Sequence, residues 1–168
     1  HNGPNWGKDV FIPMDWVIGG QQQVGNGWKM LMQCLTTGRS ISLPALSTGG
    51  GKFACRNTGA YARIRKQFNR AIGEFEGIEE VLARMAGETY ILDAARNVTS
   101  AALDDGQQPS VISAVIKYEL TERMRRIIND AMDVQGGSGI CLGPNNYMGR
   151  LYQVIPVSIT VEGANILT

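Results

Sequence analysis

Three observations predict a mainly α-helical chain, an antiparallel bundle of four to five helices preceded by a short β tail. Apolar residues recur at helical spacing over most of residues 27–135. Acidic and glycine clusters at 104–106 and 136–139 interrupt the pattern where helices would stop. Ahead of all this lies a different kind of segment, with the short apolar run Val10, Phe11, Ile12 and Pro13 set between glycine pairs and prolines. Residues 1–25 therefore read as the end of a β region and its linker, and residues 26–168 as a helical domain.

The chain has 168 residues, 43% hydrophobic and 18% charged, enough to bury a core. A net charge of +1 leaves no electrostatic footprint for nucleic acid or an acidic membrane. No apolar run reaches the roughly eighteen residues of a membrane span, and the polar start, HNGPNW, lacks the apolar region of a signal peptide. The chain does not begin with Met and is expected to be an excised piece of a longer protein. Cys34, Cys55 and Cys141 are odd in number and far apart, which predicts reduced, mostly buried thiols and no disulfide framework or metal site. The sole histidine is His1. Nucleophile pairs of the Ser-His or Cys-His kind are thereby removed, as are most zinc sites. Acid–base chemistry has to come from a carboxylate, Lys or Tyr.

Taken in order, the first helical stripe is Trp28, Leu31, Met32 and Leu35. Gly38 and Pro44 are expected to limit or bend it. The pattern resumes at Ala45 and runs through Leu46, Phe53, Tyr61 and Ile64 to end near Phe68. Gly49, Gly50 and Gly51 each weaken a helix by about 1 kcal/mol, but in a bundle they allow close approach of a neighbour. Gly51-Lys52 is no phosphate loop, because Leu46 and Phe53 stand where that motif needs Gly and Ser or Thr. The clearest helix covers 76–103, with Ile78, Val81, Leu82, Met85, Leu92, Ala95 and Ala102 on one face and Asp104, Asp105 and Gly106 as its stop. Pro109 opens the next helix, whose stripe is Ile112, Ile116, Leu120, Met124, Ile127 and Ala131. Arg123, Arg125 and Arg126 on it read as a solvated face. The glycine run after it is not a dinucleotide fingerprint, since Leu142 occupies the position of its last Gly.

The final stretch carries a single carboxylate, Glu162, after eight residues rich in β-branched side chains and before Gly163. Poor solvation raises a carboxyl pKa from its usual value near 4.3, which suits a general base. The same residue also reads as an acid in the first turn of a helix starting near Gly163. The residues alone leave both open.

A family becomes visible in the succession Ala60, Tyr61, Arg65, Gln67, Phe68, Ile72, Phe75, Leu82, Ala83 and Met85. It resembles the C-terminal domain of acyl-CoA dehydrogenases, whose pattern there is close to YAxxRxQFGxxIxxFQ…LAxM. Other blocks come in the family's order: Val10 to Trp28, Thr37-Gly38-Arg39, Asp130-Ala131 with Gly136-Gly137-Ser138-Gly139, Arg150-Leu151-Tyr152, and Val161-Glu162-Gly163. The EGAN ending and the STGGG insertion at 47–51 are most similar to the large bacterial acyl-CoA dehydrogenases of fatty-acid β-oxidation.

The resemblance implies an FAD flavoprotein that oxidises a fatty acyl-CoA to the trans-2-enoyl-CoA. Glu162 aligns with the base that takes the α-proton, and its backbone N–H with one of two donors to the thioester oxygen. Some members carry the base immediately before the aligned Arg; here that position is Gly38. Arg39 would tune the carboxylate or order the site. Arg65, Gln67 and Phe68 match residues that reach the pyrophosphate and adenine end of FAD in a neighbouring subunit, and Gly136 and Gly137 match a loop passing close to its adenosine. Asp133, Glu76, Gln153, Val154, Ala164 and Ile166 depart from the family pattern, and the two acids are unhelpful beside a pyrophosphate. The resemblance further implies a homodimer or homotetramer, an electron-transfer flavoprotein as acceptor, no metal, and a cytoplasmic location with peripheral contact to a bacterial inner membrane. An oxidase passing electrons to oxygen and a non-catalytic assembly module are the competing readings.

Overall fold

The computed structural model describes residues 3–107 and 110–167. Two compact units divide the chain, His1–Cys34 and Leu35–Thr168. The first contains two 3-10 turns, Met14–Trp16 and Gln21–Gln23, and the opening of helix α1 (Gly27–Ile64). Residues 10–13 carry no strand, because the described part of this unit offers them no partner. Strands need a ladder, and an isolated apolar run supplies only one side of it.

The second unit is the expected helical bundle. After α1 come the two-residue strands β1 (Lys66–Gln67) and β2 (Arg70–Ala71), then α2 (Glu76–Asp104), α3 (Ser110–Gln135), the one-turn α4 (Gly137–Ile140) and α5 (Tyr147–Thr160). Contacts fix the directions of the long helices. Thr48 and Cys55 on α1 bond Leu92 and Thr89 on α2, and Ala62 packs beside Ile78. Arg84 and Glu88 on α2 meet Asp130 and Arg123 on α3. Successive long helices thus run antiparallel. The main core gathers Ala54, Met85, Leu92, Leu120, Ile127, Ala131 and Met148, most of them on the predicted stripes. The triple glycine serves close approach: a Cβ on Gly51 would stand 3.0 Å from Leu92 Cδ1 and Thr89 Oγ1, and one on Gly50 only 2.8 Å from Met124 Sδ.

Several expectations need correction. α1 does not stop at Gly38 or Pro44 but continues to Ile64. Pro44 is fully buried beside buried Leu43, Ser47 and Thr48. Packing of this order offsets the roughly 3 kcal/mol that an interior Pro costs a helix. The helix ends before Phe68 because Phe68 and Asn69, with φ of 51° and 62°, form the tight turn that pairs β1 antiparallel with β2. Phe-Asn carries none of the usual glycine signal for such a turn. Pro109 lies outside the described residues. The thiols are not mostly buried, since Cys34 and Cys141 are exposed and only Cys55 is half-buried. Ile112, assigned to the inner stripe of α3, is 52% exposed, and the inner face there is polar instead, with Ser113 and Lys117 buried. Arg123 is not a free solvated charge, since it pairs with Glu88 at 2.5 Å across to α2, while Arg125 and Arg126 pair with Glu122 and Glu88 at 3.7 and 3.9 Å. No helix among the described residues is long and apolar enough to cross a membrane.

Candidate active site and cofactor pocket

α5 ends at Thr160, and the Val161 N–H still bonds the Val157 carbonyl at 3.0 Å. The chain then turns through two left-handed residues, Glu162 at φ 54° and Gly163 at φ 96°. Gly accepts that geometry freely; for Glu it costs on the order of 1–2 kcal/mol and persists only where the surroundings impose it. The surroundings are on α3. Lys117 Nζ donates to the Gly163 carbonyl at 2.7 Å and to Asn165 Oδ1 at 2.6 Å. Asn165 Nδ2 in turn donates to Thr121 Oγ1 at 2.9 Å and Glu122 Oε1 at 3.0 Å. Beyond Gly163 the described chain forms a 3-10 turn, Asn165–Leu167. The segment that carries the carboxylate is thus tied to α3 through Gly163 and Asn165.

The Glu162 carboxylate faces α1. A Cβ built on Gly38 would lie 3.9 Å from Glu162 Oε1, so position 38 and the Glu162 carboxylate look onto one point. Glu162 Oε2 and Arg39 Nε are both buried with no hydrogen-bond partner. Arg39 and Glu162 do not pair directly, but both act electrostatically on Lys117, which places the two predicted catalytic residues in one polar cluster. The Glu162 backbone N–H donates to no group among the described residues. Lys117 and Asn165 were not predicted. Their signal was present in the spacing, since 113, 117, 120, 121 and 124 share the inner face of α3.

Burial pushes the Lys117 ammonium below its ordinary pKa; Arg39 pushes the same way, and Glu162 and Glu122 oppose. The folded state therefore releases this proton before the unfolded chain does. Stability contributed through Lys117 should rise with pH across the window below about 10.4 and level off above it. Urea unfolding from pH 8 to 10.5 is expected to show this rise in the wild type, and a flatter curve in Lys117→Met.

The predicted cofactor residues also converge. Arg65, Gln67, Phe68, Gly136 and Gly137 all line one pocket of about 590 Å³, walled by Phe75, Ile78 and Val134. Phe68 is 89% exposed at its rim, edge-on to Phe75 with ring centres 6.4 Å apart, so it is no core residue of this chain. Arg65 is exposed and makes no ion pair among the described residues. A Cβ on Gly136 or Gly137 would meet nothing within 4 Å, which leaves that backbone open to a ligand. Neither Glu76 nor Asp133 lines the pocket, nor does any other carboxylate. A free guanidinium, an amide, open backbone and apolar walls without acids fit the pyrophosphate and a flat ring of a dinucleotide. No group of side chains suited to a metal ion occurs among the described residues.

Residues 25–166 match the acyl-CoA dehydrogenase C-terminal domain. Protein HemX of Proteus mirabilis is 58% identical over 59 residues, 35% of this chain and 35% of that protein. The 3-(aryl)acrylate reductase of Clostridium sporogenes (strain ATCC 15579) is 32% identical over 145 residues, covering 85% of this chain and 37% of the reductase. The acyl-CoA dehydrogenase of Geobacillus kaustophilus superposes with a TM-score of 0.77 at 26% identity, over 84% of this chain and 37% of that one. The chain thus spans little more than a third of the length of these curated relatives. The matched span takes in Gly38, Arg39, Arg65, the glycine pair and Glu162. This chain belongs to the acyl-CoA dehydrogenase family and carries its C-terminal domain.

Proposed function

We propose that the chain is the C-terminal part of an FAD-dependent dehydrogenase, of the large bacterial kind, that converts fatty acyl-CoA to trans-2-enoyl-CoA with Glu162 as the base. The observation that carries this reading is the Glu162 carboxylate itself, with Oε2 buried and unpartnered and Oε1 3.9 Å from a Cβ built on Gly38. A carboxylate without competing donors keeps a lone pair available for a proton. The free N–H of the same residue can donate to the thioester oxygen as enolate charge develops, so one residue serves both ends of the proton transfer. Arg39, which like Glu162 acts electrostatically on Lys117, would tune the carboxylate or order the site. FAD, when bound, supplies the acceptor for the β-hydrogen as hydride. Arg65, Gln67 and the Gly136–Gly137 backbone would hold its pyrophosphate and adenosine, and an electron-transfer flavoprotein would reoxidise it.

Flavin absorbance and dye reduction with palmitoyl-CoA on the full-length protein test the assignment; absence of flavin would sink it. Arg65→Ala is expected to weaken FAD binding about tenfold, the worth of one charge-assisted contact, with kcat unchanged at saturating FAD. Equilibrium dialysis against FAD reads the first, initial rates the second. A second reading, reduction of a 2-enoyl group, is favoured by the name of the Clostridium relative. It uses the same residues in reverse, with Glu162 giving its proton to the α-carbon; FAD, when bound in its reduced form, would supply the hydride for the β-carbon. The direction is read by comparing rates with saturated and 2-enoyl thioesters.

A further inference from the structure

The inner face of α3 is apolar along most of its length but turns polar beneath Glu162, where Lys117 is 1% exposed and Thr121 fully buried. Packing alone gives no reason for this. A buried amine is costly to desolvate, and a well-packed apolar residue of similar size would serve a purely structural role as well or better. This amine is committed to one short segment. It bonds the Gly163 carbonyl and Asn165 Oδ1, the residues one and three places after Glu162. Asn165, itself 7% exposed, closes the bracket through Thr121 and Glu122. Thr121 is oriented in turn by donating to the Lys117 carbonyl at 2.7 Å. The segment so held contains the left-handed Glu162, a conformation that relaxes unless its neighbours over-determine it.

We propose that Lys117, acting through Asn165 and the Gly163 carbonyl, is a positioning residue that locks Glu162 in its left-handed conformation and thereby fixes where its carboxylate and backbone N–H stand. The proposal rests on Glu162 being the base. Lys117 touches no substrate in this role. Its ammonium also adds a cation near the carboxylate, alongside Arg39 from α1 and against Glu122 from α3.

The test uses Lys117→Met, Asn165→Ala and Glu162→Gln in the full-length, flavin-loaded protein. Lys117→Met is expected to lower kcat for palmitoyl-CoA about 10- to 100-fold, the scale of an ångström-level misplacement, with KM changed no more than about threefold. The acid limb of its kcat–pH profile should move to higher pH, because a neighbouring cation is gone while Arg39 and Glu122 remain. Asn165→Ala should lower kcat about tenfold with the acid limb in place, since the amine is retained. Backbone hydrogen exchange of residues 161–167 should speed up in both. Wild-type kcat, pH profile and exchange in Lys117→Met overturn the proposal. If Lys117→Met yields no soluble protein, Asn165→Ala decides, and wild-type kcat and exchange there overturn it equally. Full activity in Glu162→Gln would overturn the base assignment itself, whereas an inactive Glu162→Gln beside wild-type behaviour of the other two removes only the positioning role.

Discussion

Glu162→Gln in the full-length protein should lower kcat for acyl-CoA oxidation about 10³-fold, within the range that a positioned general base contributes, while leaving thioester binding within about threefold. The substitution is close to isosteric. The left-handed backbone at 162 is held by Lys117 and Asn165 through Gly163 and not through the carboxylate, so the fold loses no bond there. The backbone N–H, the proposed donor to the thioester oxygen, stays in place, which keeps ground-state binding. What disappears is the carboxylate lone pair proposed to take the proton. Exchange of the α-hydrogens of bound acyl-CoA with D₂O isolates that step from hydride transfer and should fall with kcat. Retained exchange would mean that another group moves the proton, with the neighbouring Lys117 the first candidate.

The long elements were legible from spacing because their signals are local and repeated. α2 and α3 stop where acidic or glycine residues stop them, and the stripes of both helices supply the core. Pro44 misleads because its penalty is local while its compensation, full burial, depends on residues distant in sequence. Phe68 and Asn69 mislead because their left-handed turn has no glycine to announce it. For the site, ordered motifs named Glu162, Arg39 and the pocket residues as candidates, of which Arg65, Gln67, Phe68, Gly136 and Gly137 line one pocket. They could not disclose Lys117, whose role appears only when α3 is laid against a segment more than forty residues away. A lone Lys on an apolar face invites a reading as an exposed charge, and only the partner carbonyl explains its burial.

Moving the base across the site should restore part of what Glu162→Gly removes. A Cβ at Gly38 lies 3.9 Å from Glu162 Oε1, so a Glu side chain from that position reaches the space the carboxylate now fills. We expect Gly38→Glu combined with Glu162→Gly to recover about 10²-fold in kcat over Glu162→Gly alone, short of wild type. The deficit comes from approach from α1 instead of the loop, which changes the angle to the α-proton. Neither change should harm folding. Position 38 is interior to α1, where replacing Gly by Glu gains about 0.5–1 kcal/mol of helix propensity, and Gly at 162 relieves a left-handed side-chain residue. Gly38→Asp in the same background is the control. Its carboxylate stops one C–C bond, about 1.5 Å, short, and a miss of that size should forfeit most of the recovery. Equal rescue by Asp and Glu would point to a mobile water carrying the proton. No rescue by either would mean that the free N–H and the carboxylate have to come from the same residue, because the oxygen and the α-proton are presented along one fixed line.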